Sequence, residues 1–453
     1  MNDKVKIMSE ENITKALFKL GMPMVISMLV MALYNVVDTY FVSGLGKQAV
    51  AAVSVAFPIS LIFSGIGLTF GAGAGSYISR LLGGKNKKEA DTVATVSMFS
   101  SAVIGLTVGV LLLLFLTEVL KFMGAIPSII DMAKIYAGIF IASAIFSTTN
   151  VTSGNIAVSQ GAAKVSLKAM IVGSVLNMIL DPVFIYKFDL GVKGAAIATL
   201  ISQLVTGLMY LFYFKGGKSF LEIRLINFKP TSGIYKEILK VGISMFLLQV
   251  FSSISISKIS SSASLYGEEA IAAMGIVLRI VTLGTNVVFG YMKGLQPLAG
   301  FNYGAKNYTR LDEAIKCCIK WTNIFCVAWT VIIYIFAPSI LSIFGTGDDV
   351  LKIAVPALRA GVIMFVTFGF QFTYSTLYLS MGKALEGGFL NICRQGIVFI
   401  PIILVLPQFI GLNGVIYAQA VSDFITTLIT IPFAISVHRT ISRKKNSEKV
   451  GVI

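Results

Sequence analysis

Twelve apolar stretches, each of about 20 residues or more, recur along this 453-residue chain and are separated by short polar connections. A helix of that length crosses the hydrocarbon core of a bilayer. In lipid, the backbone must satisfy its polar groups within its own segment, which favours helices. With 56% hydrophobic residues, the chain has too much apolar side chain for one soluble core to bury. The sequence therefore predicts an all-α polytopic membrane protein with 12 transmembrane helices.

The longest polar connection runs from Phe214 to Lys240 and divides the predicted spans into two sets of six. We expect the spans near residues 15–43, 50–80, 92–117, 132–158, 164–188, 193–214, 237–265, 270–298, 313–337, 352–381, 386–408 and 412–438. The predicted domains are a cytoplasmic N-terminal tail (1–14), an N-lobe (15–214), a cytoplasmic linker (215–236), a C-lobe (237–438) and a basic cytoplasmic C-terminal tail (439–453).

The two halves of the chain repeat each other, mostly at an offset of 221 residues. The matching pairs are FKLG (18–21) with LKVG (239–242), QAVAAVSVAFPI (48–59) with EAIAAMGIVLRI (269–280), GGKNKKEAD (83–91) with GAKNYTRLD (304–312) and, after one deletion, GVKGAAIATLISQ (191–203) with GLNGVIYAQAVSD (411–423). Because each half has six spans, both halves start on the same side of the membrane. The repeat is therefore parallel, and we expect two lobes with a substrate path between them.

The charge distribution predicts the orientation of the chain. The net charge is +16, and most Lys and Arg residues fall in predicted loops on the side that carries both termini. This positive-inside pattern places both termini in the cytoplasm. The basic residues are dispersed between hydrophobic spans, which argues against nucleic-acid binding. Four cysteines in or beside spans suggest no disulfide framework, and one histidine excludes histidine-rich metal chemistry.

Three carboxylates lie well inside predicted spans: Asp38, Asp181 and Asp423. A charge in the bilayer costs roughly 2.5–3.5 kcal/mol, so it normally faces a cavity and acts there. Asp38 and Asp181 both lie roughly 10 Å inside the outer surface, counted at 1.5 Å per residue. If the first and fifth spans are neighbours, the two carboxylates share one apolar pocket that can bind a proton or Na⁺. The alternative is that each aspartate only hydrogen-bonds a neighbouring helix.

Polar side chains near these depths are candidates for the same pocket. The predicted ion-coupling residues are Asp38, Asp181, Asn177, Thr199, Tyr34 and Asn155. The predicted substrate-binding residues are Asn150, Met28, Met31, Gln203, Arg279, Arg394 and Asp423. Methionine is included because its flexible, polarizable side chain suits a cavity for varied apolar ligands, although it also fills gaps in a core. Pro182 should kink the fifth span directly after Asp181.

The second half keeps the scaffold and changes the charges. Ile259 stands where the repeat would place Asp38, and Pro401 or Ile402 where it would place Asp181. The basic residues within its spans are Lys258, Arg279, Lys293, Arg359 and Arg394. We expect Arg279 or Arg394 to pair with Asp423, and the remaining cations to bind anionic lipid or an acidic substrate group.

These segments resemble one family over essentially the whole chain. SGLGKQAVAAVSVAFPI after the first span, GGKNKKEAD after the second and NMILDPVFIY in the fifth are similar to the multidrug and toxic compound extrusion (MATE) transporters, in the bacterial branch of MepA-type and DinF-type exporters. The resemblance implies two six-helix lobes around a central cleft. It also implies a monomer in a bacterial-type cytoplasmic membrane, in contact with lipid, that exports lipophilic and often cationic compounds by antiport with H⁺ or Na⁺ and uses no cofactor.

The family's coupling acids match Asp38 and Asp181, and its surrounding polar residues match Asn177, Thr199 and Tyr34. Another branch relies on acids in the C-lobe, and no carboxylate stands at the matching positions here, so coupling through the N-lobe is favoured. One alternative is a lipid-linked precursor flippase of the same superfamily. The basic residues in the spans of the second half favour this alternative. An intramembrane enzyme would need a nucleophile–base or metal constellation, and the sequence contains none.

Overall fold

The computed structural model describes residues 3–345 and 347–450, and all regular structure in that part of the chain is helical. The ends of the two predicted tails, residues 1–2 and 451–453, lie outside the described residues. The first half contains α1 (Asp3–Ser9), α2 (Ile13–Ser43), α3 (Lys47–Gly83), α4 (Lys87–Leu114), α5 (Leu116–Phe122), α6 (Ile130–Ala142), α7 (Ala144–Ser159), α8 (Ala163–Pro182) and α9 (Gly191–Lys215). The second half contains α10 (Ser232–Ala263), α11 (Glu268–Gly304), α12 (Tyr308–Ser342), α13 (Asp348–Ile363), α14 (Phe368–Ser380), α15 (Ala384–Ile392), α16 (Phe399–Ile410) and α17 (Leu412–Val450).

The prediction of twelve spans is confirmed. Eleven helical segments in the described part of the chain are long and apolar enough to cross a membrane, with α13–α14 and α15–α16 each counted as one segment, and the pair α6–α7 supplies the twelfth. That fourth span, predicted over 132–158, is bent by 50° at Ser143. The Ser143 hydroxyl donates a 2.6 Å hydrogen bond to the Phe140 carbonyl. Serine competes in this way with the backbone ladder of a helix and often accompanies a bend.

Two helices do not stay within one compact unit. Unit 1 is built mainly from Ile26–Phe246, and unit 2 from Met8–Val25 together with the chain from Leu247 onward. The N-terminal part of α2 therefore belongs to unit 2, and the N-terminal part of α10 belongs to unit 1. The predicted lobe boundaries follow the order of the chain, whereas the compact units exchange these two segments.

Glycines in the FKLG and LKVG motifs allow this exchange. A Cβ atom on Gly242 of α10 would lie 2.1 Å from the Thr69 carbonyl oxygen of α3. In unit 2, a Cβ atom on Gly294 of α11 would lie 2.4 Å from the backbone nitrogen of Gly21. Because no side chain fits at those distances, the two backbones approach closely in both units. The same packing thus occurs at positions related by the repeat.

The connections between spans repeat the same backbone geometry. Gly46 and Gly267 precede α3 and α11 with φ of 99° and 103°. Lys85 and Lys306 adopt φ of 60° and 58°, unusual for residues with a side chain. The next residue caps the helix in each half, since Asn86 accepts from the Glu89 amide and Asn307 from the Arg310 amide. The sequence repeat is therefore a structural repeat.

Candidate functional site

The carboxyl groups of Asp38 on α2 and Asp181 on α8 lie close enough to interact with each other within unit 1. Asp181 is fully buried, and Asp38 is partly buried. A hydrogen bond between two carboxyl groups needs one proton, because a carboxylate only accepts. The first and fifth spans are thus neighbours, which is the condition that the sequence analysis set for a pocket shared by the two acids.

A π-helical turn positions the end of the fifth span. The α-helix ends at Pro182, whose missing N–H leaves the Met178 carbonyl without its usual helical donor, and Val183–Lys187 continue as a π turn. Tyr186 in this turn donates a 2.5 Å hydrogen bond to the Phe41 carbonyl near the C-terminal end of α2. A Cβ atom on Gly44 would lie 2.2 Å from the Tyr186 hydroxyl, so the glycine makes room for this contact. Tyr186 therefore ties the helix of Asp181 to the helix of Asp38.

Asn177 connects Asp181 to the sixth span. In the amide orientation that satisfies both of its polar atoms, Asn177 donates to Oδ2 of Asp181 at 2.9 Å and accepts from the Thr199 amide at 3.2 Å. Asn177 and Thr199 are both buried. No N–H or hydroxyl group of the described residues donates to Oδ1 of Asp181, which leaves that oxygen available to the Asp38 carboxyl. Three helices thus hold the acid pair.

Two tyrosines complete the pocket. Tyr34 lies one turn before Asp38 on α2, and its hydroxyl is within hydrogen-bonding reach of Thr199. Tyr136 on α6 is buried and lies near Asp38, Tyr34 and Asp181. Tyr136 was missed by the sequence analysis because its apolar surroundings read as an ordinary membrane-facing stretch. Its phenolic hydroxyl inside a span, like that of Tyr34, was the signal available.

The acid pair has no basic partner. Across the described residues, no Lys or Arg lies within salt-bridge distance of Asp38 or Asp181. A buried carboxylate without a counter-ion is unstable, so it takes up a proton or a cation. The pocket can therefore bind H⁺, and its carboxyl, amide and hydroxyl oxygens are also the ligand types that Na⁺ accepts.

The remaining candidates of the first half lie elsewhere in unit 1. Asn155 donates to the Val151 carbonyl at 2.8 Å and packs against Gly71 of α3. Asn150 donates to both the backbone and the side-chain oxygen of Gln203, each at 2.8 Å, and so joins α7 to α9. On α2, Met28 is buried and Met31 is exposed. Their predicted roles stay predictions.

Unit 2 contains a buried ion pair in place of an acid pair. Nε of Arg394 lies 2.8 Å from Oδ1 of Asp423, and Nη2 donates to Oδ2 at 3.3 Å. The guanidinium also stacks on the Phe368 ring, 4.3 Å from its centroid. The expected pairing of Asp423 is thus confirmed, with Arg394 as the partner. Arg279 is exposed on α11. Contact of these three charged residues with substrate stays a prediction.

The MatE family model matches residues 23–183 and 241–405, which cover most of both halves of the chain. The chain belongs to the MatE family. Its two matched segments correspond to the two sequence repeats, and the prediction from the motifs is confirmed.

Solved MATE structures share the fold along the whole length. A MATE transporter crystallised in complex with MaL6 aligns with a TM-score of 0.92 at 29% identity, over 98% of this chain and 100% of the other. An outward-facing multidrug resistance MATE transporter aligns with a TM-score of 0.92 at 29% identity, over 98% and 99%. The multidrug export protein MepA of Staphylococcus haemolyticus is 29% identical over 440 residues, 97% of each chain.

Proposed function

We propose that this MATE-family protein is a secondary active exporter of lipophilic, often cationic compounds, and that it exchanges them for H⁺ at the Asp38–Asp181 pair. The observation that carries this proposal is the proximity of the two carboxyl groups, with no Lys or Arg of the described residues within salt-bridge distance of either. The similarity to multidrug export proteins supports the class of cargo. The positive-inside pattern supports cytoplasmic termini.

The exchange follows from the charge of the pocket. A proton that enters from the outer side bridges the two carboxyl groups and leaves one net negative charge. Its loss to the cytoplasm leaves two negative charges in an apolar setting, which favours a cationic cargo and disfavours the packing of α2 against α8. The proton must therefore bind the two transport conformations unequally, and this difference is what drives export.

Asn177 and Thr199 have a positioning role in this scheme. Asn177 donates its amide N–H to Asp181, so it favours the charged form of that carboxyl and keeps it aimed at α2. Tyr34 lies near Thr199 and both acids, and its hydroxyl is a hydrogen-bond donor for a charged carboxylate.

The pairing of Arg394 counts against the lipid-linked precursor flippase. That alternative depends on free basic residues in the second half, and the Arg394 charge is neutralised by Asp423. The cationic surface that would attract an acidic lipid head group is correspondingly smaller.

Efflux from proteoliposomes tests the proposal. A fluorescent lipophilic cation is loaded, pH and Na⁺ gradients are imposed separately, and the native protein is compared with Asp38→Asn. We expect efflux driven by the pH gradient and its loss in the variant. Efflux driven only by the Na⁺ gradient would mean that Na⁺, and not H⁺, is the coupling ion that binds in the same pocket. No efflux under either gradient would favour the flippase, and full efflux in the variant would move the coupling site elsewhere.

A further inference from the structure

The N-terminal part of α2 and the first turns of α12 pack side by side in unit 2. The Thr14 hydroxyl of α2 lies 3.3 Å from Sγ of Cys317 on α12. One turn further along both helices, the Phe18 and Trp321 rings meet edge-on, with their centroids 5.2 Å apart. Because the contacts advance in the same direction on both helices, the helices run parallel. Unit 2 therefore has a groove between α2 and α12 where the first and ninth predicted spans begin.

Four exposed lysines lie along this groove. Lys15 and Lys19 of α2 each follow a contact residue by one position, whereas Lys316 and Lys320 of α12 each precede one. One residue turns an α-helix by about 100°. On two parallel helices that face each other, a step forward on one and a step back on the other turn to the same side. The four lysines therefore lie on one face of unit 2, in two rows that flank the groove.

One lysine in each row has no acidic partner. Lys19 pairs with Glu11, and Nζ of Lys316 lies 2.8 Å from Oδ2 of Asp312. Both acids precede their lysines in the chain and so lie towards the polar end of the groove. The other lysine of each row has no carboxylate within salt-bridge distance in the part of the chain that the structure describes. Two ammonium groups thus face the groove without a counter-charge.

Exposed apolar side chains continue both lysine rows along the spans. Met22 continues the row of α2, and Ile324 and Val327 continue the row of α12. Trp321 is also exposed and lies where the basic part of the groove meets the apolar part. Tryptophan is enriched at this depth of a membrane, and basic pockets between helices bind acidic lipid head groups. The order of cations, tryptophan and apolar side chains matches a head group followed by acyl chains.

The repeat-related groove of unit 1 is covered by the chain itself. Phe99 of α4 corresponds to Lys320, and the Phe228 ring of the linker packs against it with the centroids 5.7 Å apart. Thr95, which corresponds to Lys316, is buried. The surface that is uncharged and covered on the third span is therefore basic and exposed on the ninth.

We propose that the groove between α2 and α12 binds an anionic phospholipid, with its phosphate between Lys15 and Lys320 and its acyl chains along the apolar rows. The head group supplies the negative charge that these two ammonium groups lack. A phospholipid fits better than a free phosphate ester, because the basic rows pass directly into apolar ones. The site shares no residue with the acid pair of unit 1, so this proposal does not depend on the proposed function.

Quenching of Trp321 fluorescence by lipids with brominated acyl chains tests the proposal. Trp329→Phe leaves Trp321 as the only tryptophan, since the chain has two. This protein is reconstituted in phosphatidylcholine vesicles that contain brominated phosphatidylglycerol or brominated phosphatidylcholine. We expect phosphatidylglycerol to associate roughly tenfold more strongly, because each lysine near the membrane surface attracts an anionic lipid. Lys15→Gln/Lys320→Gln should remove this preference, and Lys15→Arg/Lys320→Arg should keep it.

Lys164→Gln/Lys168→Gln is the matched control, because it removes two exposed lysines at the start of α8. Equal quenching by the two brominated lipids before any lysine is changed would overturn the proposal. So would a preference for phosphatidylglycerol that survives in Lys15→Gln/Lys320→Gln, or one that is lost equally in the control.

Thermal unfolding provides a second measurement that needs no tryptophan variant. The native protein in detergent is heated with phosphatidylglycerol, phosphatidylcholine or glycerol 1-phosphate. We expect only phosphatidylglycerol to raise the Tm. An equal rise with glycerol 1-phosphate would overturn the assignment to a lipid, because the phosphate group alone would then account for binding.

Discussion

The hydroxyl of Tyr186 lies 2.5 Å from the backbone carbonyl oxygen of Phe41, and this contact joins the fifth span to the C-terminal end of the first. The helix that carries Asp181 is thereby held against the helix that carries Asp38. The contact is made to the backbone, so it does not depend on the identity of residue 41. Because Tyr186 is not one of the two acids, a substitution at Tyr186 can change the pocket without removing a charge.

Tyr186→Phe should lower proton-driven efflux several-fold while the protein still folds. The variant loses one hydrogen bond, worth about 0.5–1.5 kcal/mol, and loosens the approach of the two carboxyl groups. Efflux rate and Tm are measured together, with Tyr40→Phe as the control because Tyr40 is 72% exposed on α2. An unchanged efflux rate in Tyr186→Phe would show that the contact does not position the acids.

Asp38→Asn and Asp181→Asn should each abolish proton release when cargo is added to detergent-solubilised protein. Either change leaves a single carboxyl group, which cannot share a proton with its former partner. A pH-indicator dye reports the number of protons released per protein. Asp131→Asn is the matched control, since Asp131 is exposed at the start of α6. Proton release that persists in both variants would contradict the assignment of the pair.

Asn177→Ala should weaken proton-coupled efflux by roughly tenfold, less than the loss of either acid. The variant removes the amide that donates to Asp181, and a hydrogen bond to a charged group contributes about 1.5–3 kcal/mol. The informative measurement is the dependence of the efflux rate on external pH. The midpoint of this pH dependence should move, while the Tm changes little. Asn35→Ala, at an exposed position of α2, should leave the midpoint in place. An unshifted midpoint in Asn177→Ala would remove this residue from the site.

Gly242→Ala should destabilise the protein by about 1–3 kcal/mol, because the new methyl group would meet the Thr69 carbonyl at 2.1 Å. Gly75→Ala is the matched control in the same unit, since its Cβ atom would find its nearest neighbour at 3.5 Å. Thermal unfolding of the two variants in detergent compares them directly. Equal Tm values would mean that α3 and α10 have room to separate at Gly242.

Much of the fold was predictable from local sequence properties. Apolar length, the repeat and the positions of GGKNKKEAD and GAKNYTRLD predict twelve helices in two equivalent halves. Asp38 and Asp181 were found because a carboxylate within an apolar span is costly wherever the helix faces. The prediction that they meet needed only their equal depth and the adjacency of two spans.

Other features depended on which helix faces are brought together. Tyr136 joins the pocket through the rotation of α6, and Tyr186 reaches Phe41 through a π turn that no periodicity indicates. The choice of Arg394 over Arg279 as the partner of Asp423 is likewise a matter of packing. Packing also decides the exchange of the N-terminal parts of α2 and α10 between the two units. Gly21 and Gly242 allow these parts to approach α11 and α3 closely. Composition and spacing determine that helices form and where charge is costly, whereas side-chain geometry in three dimensions decides which groups become partners.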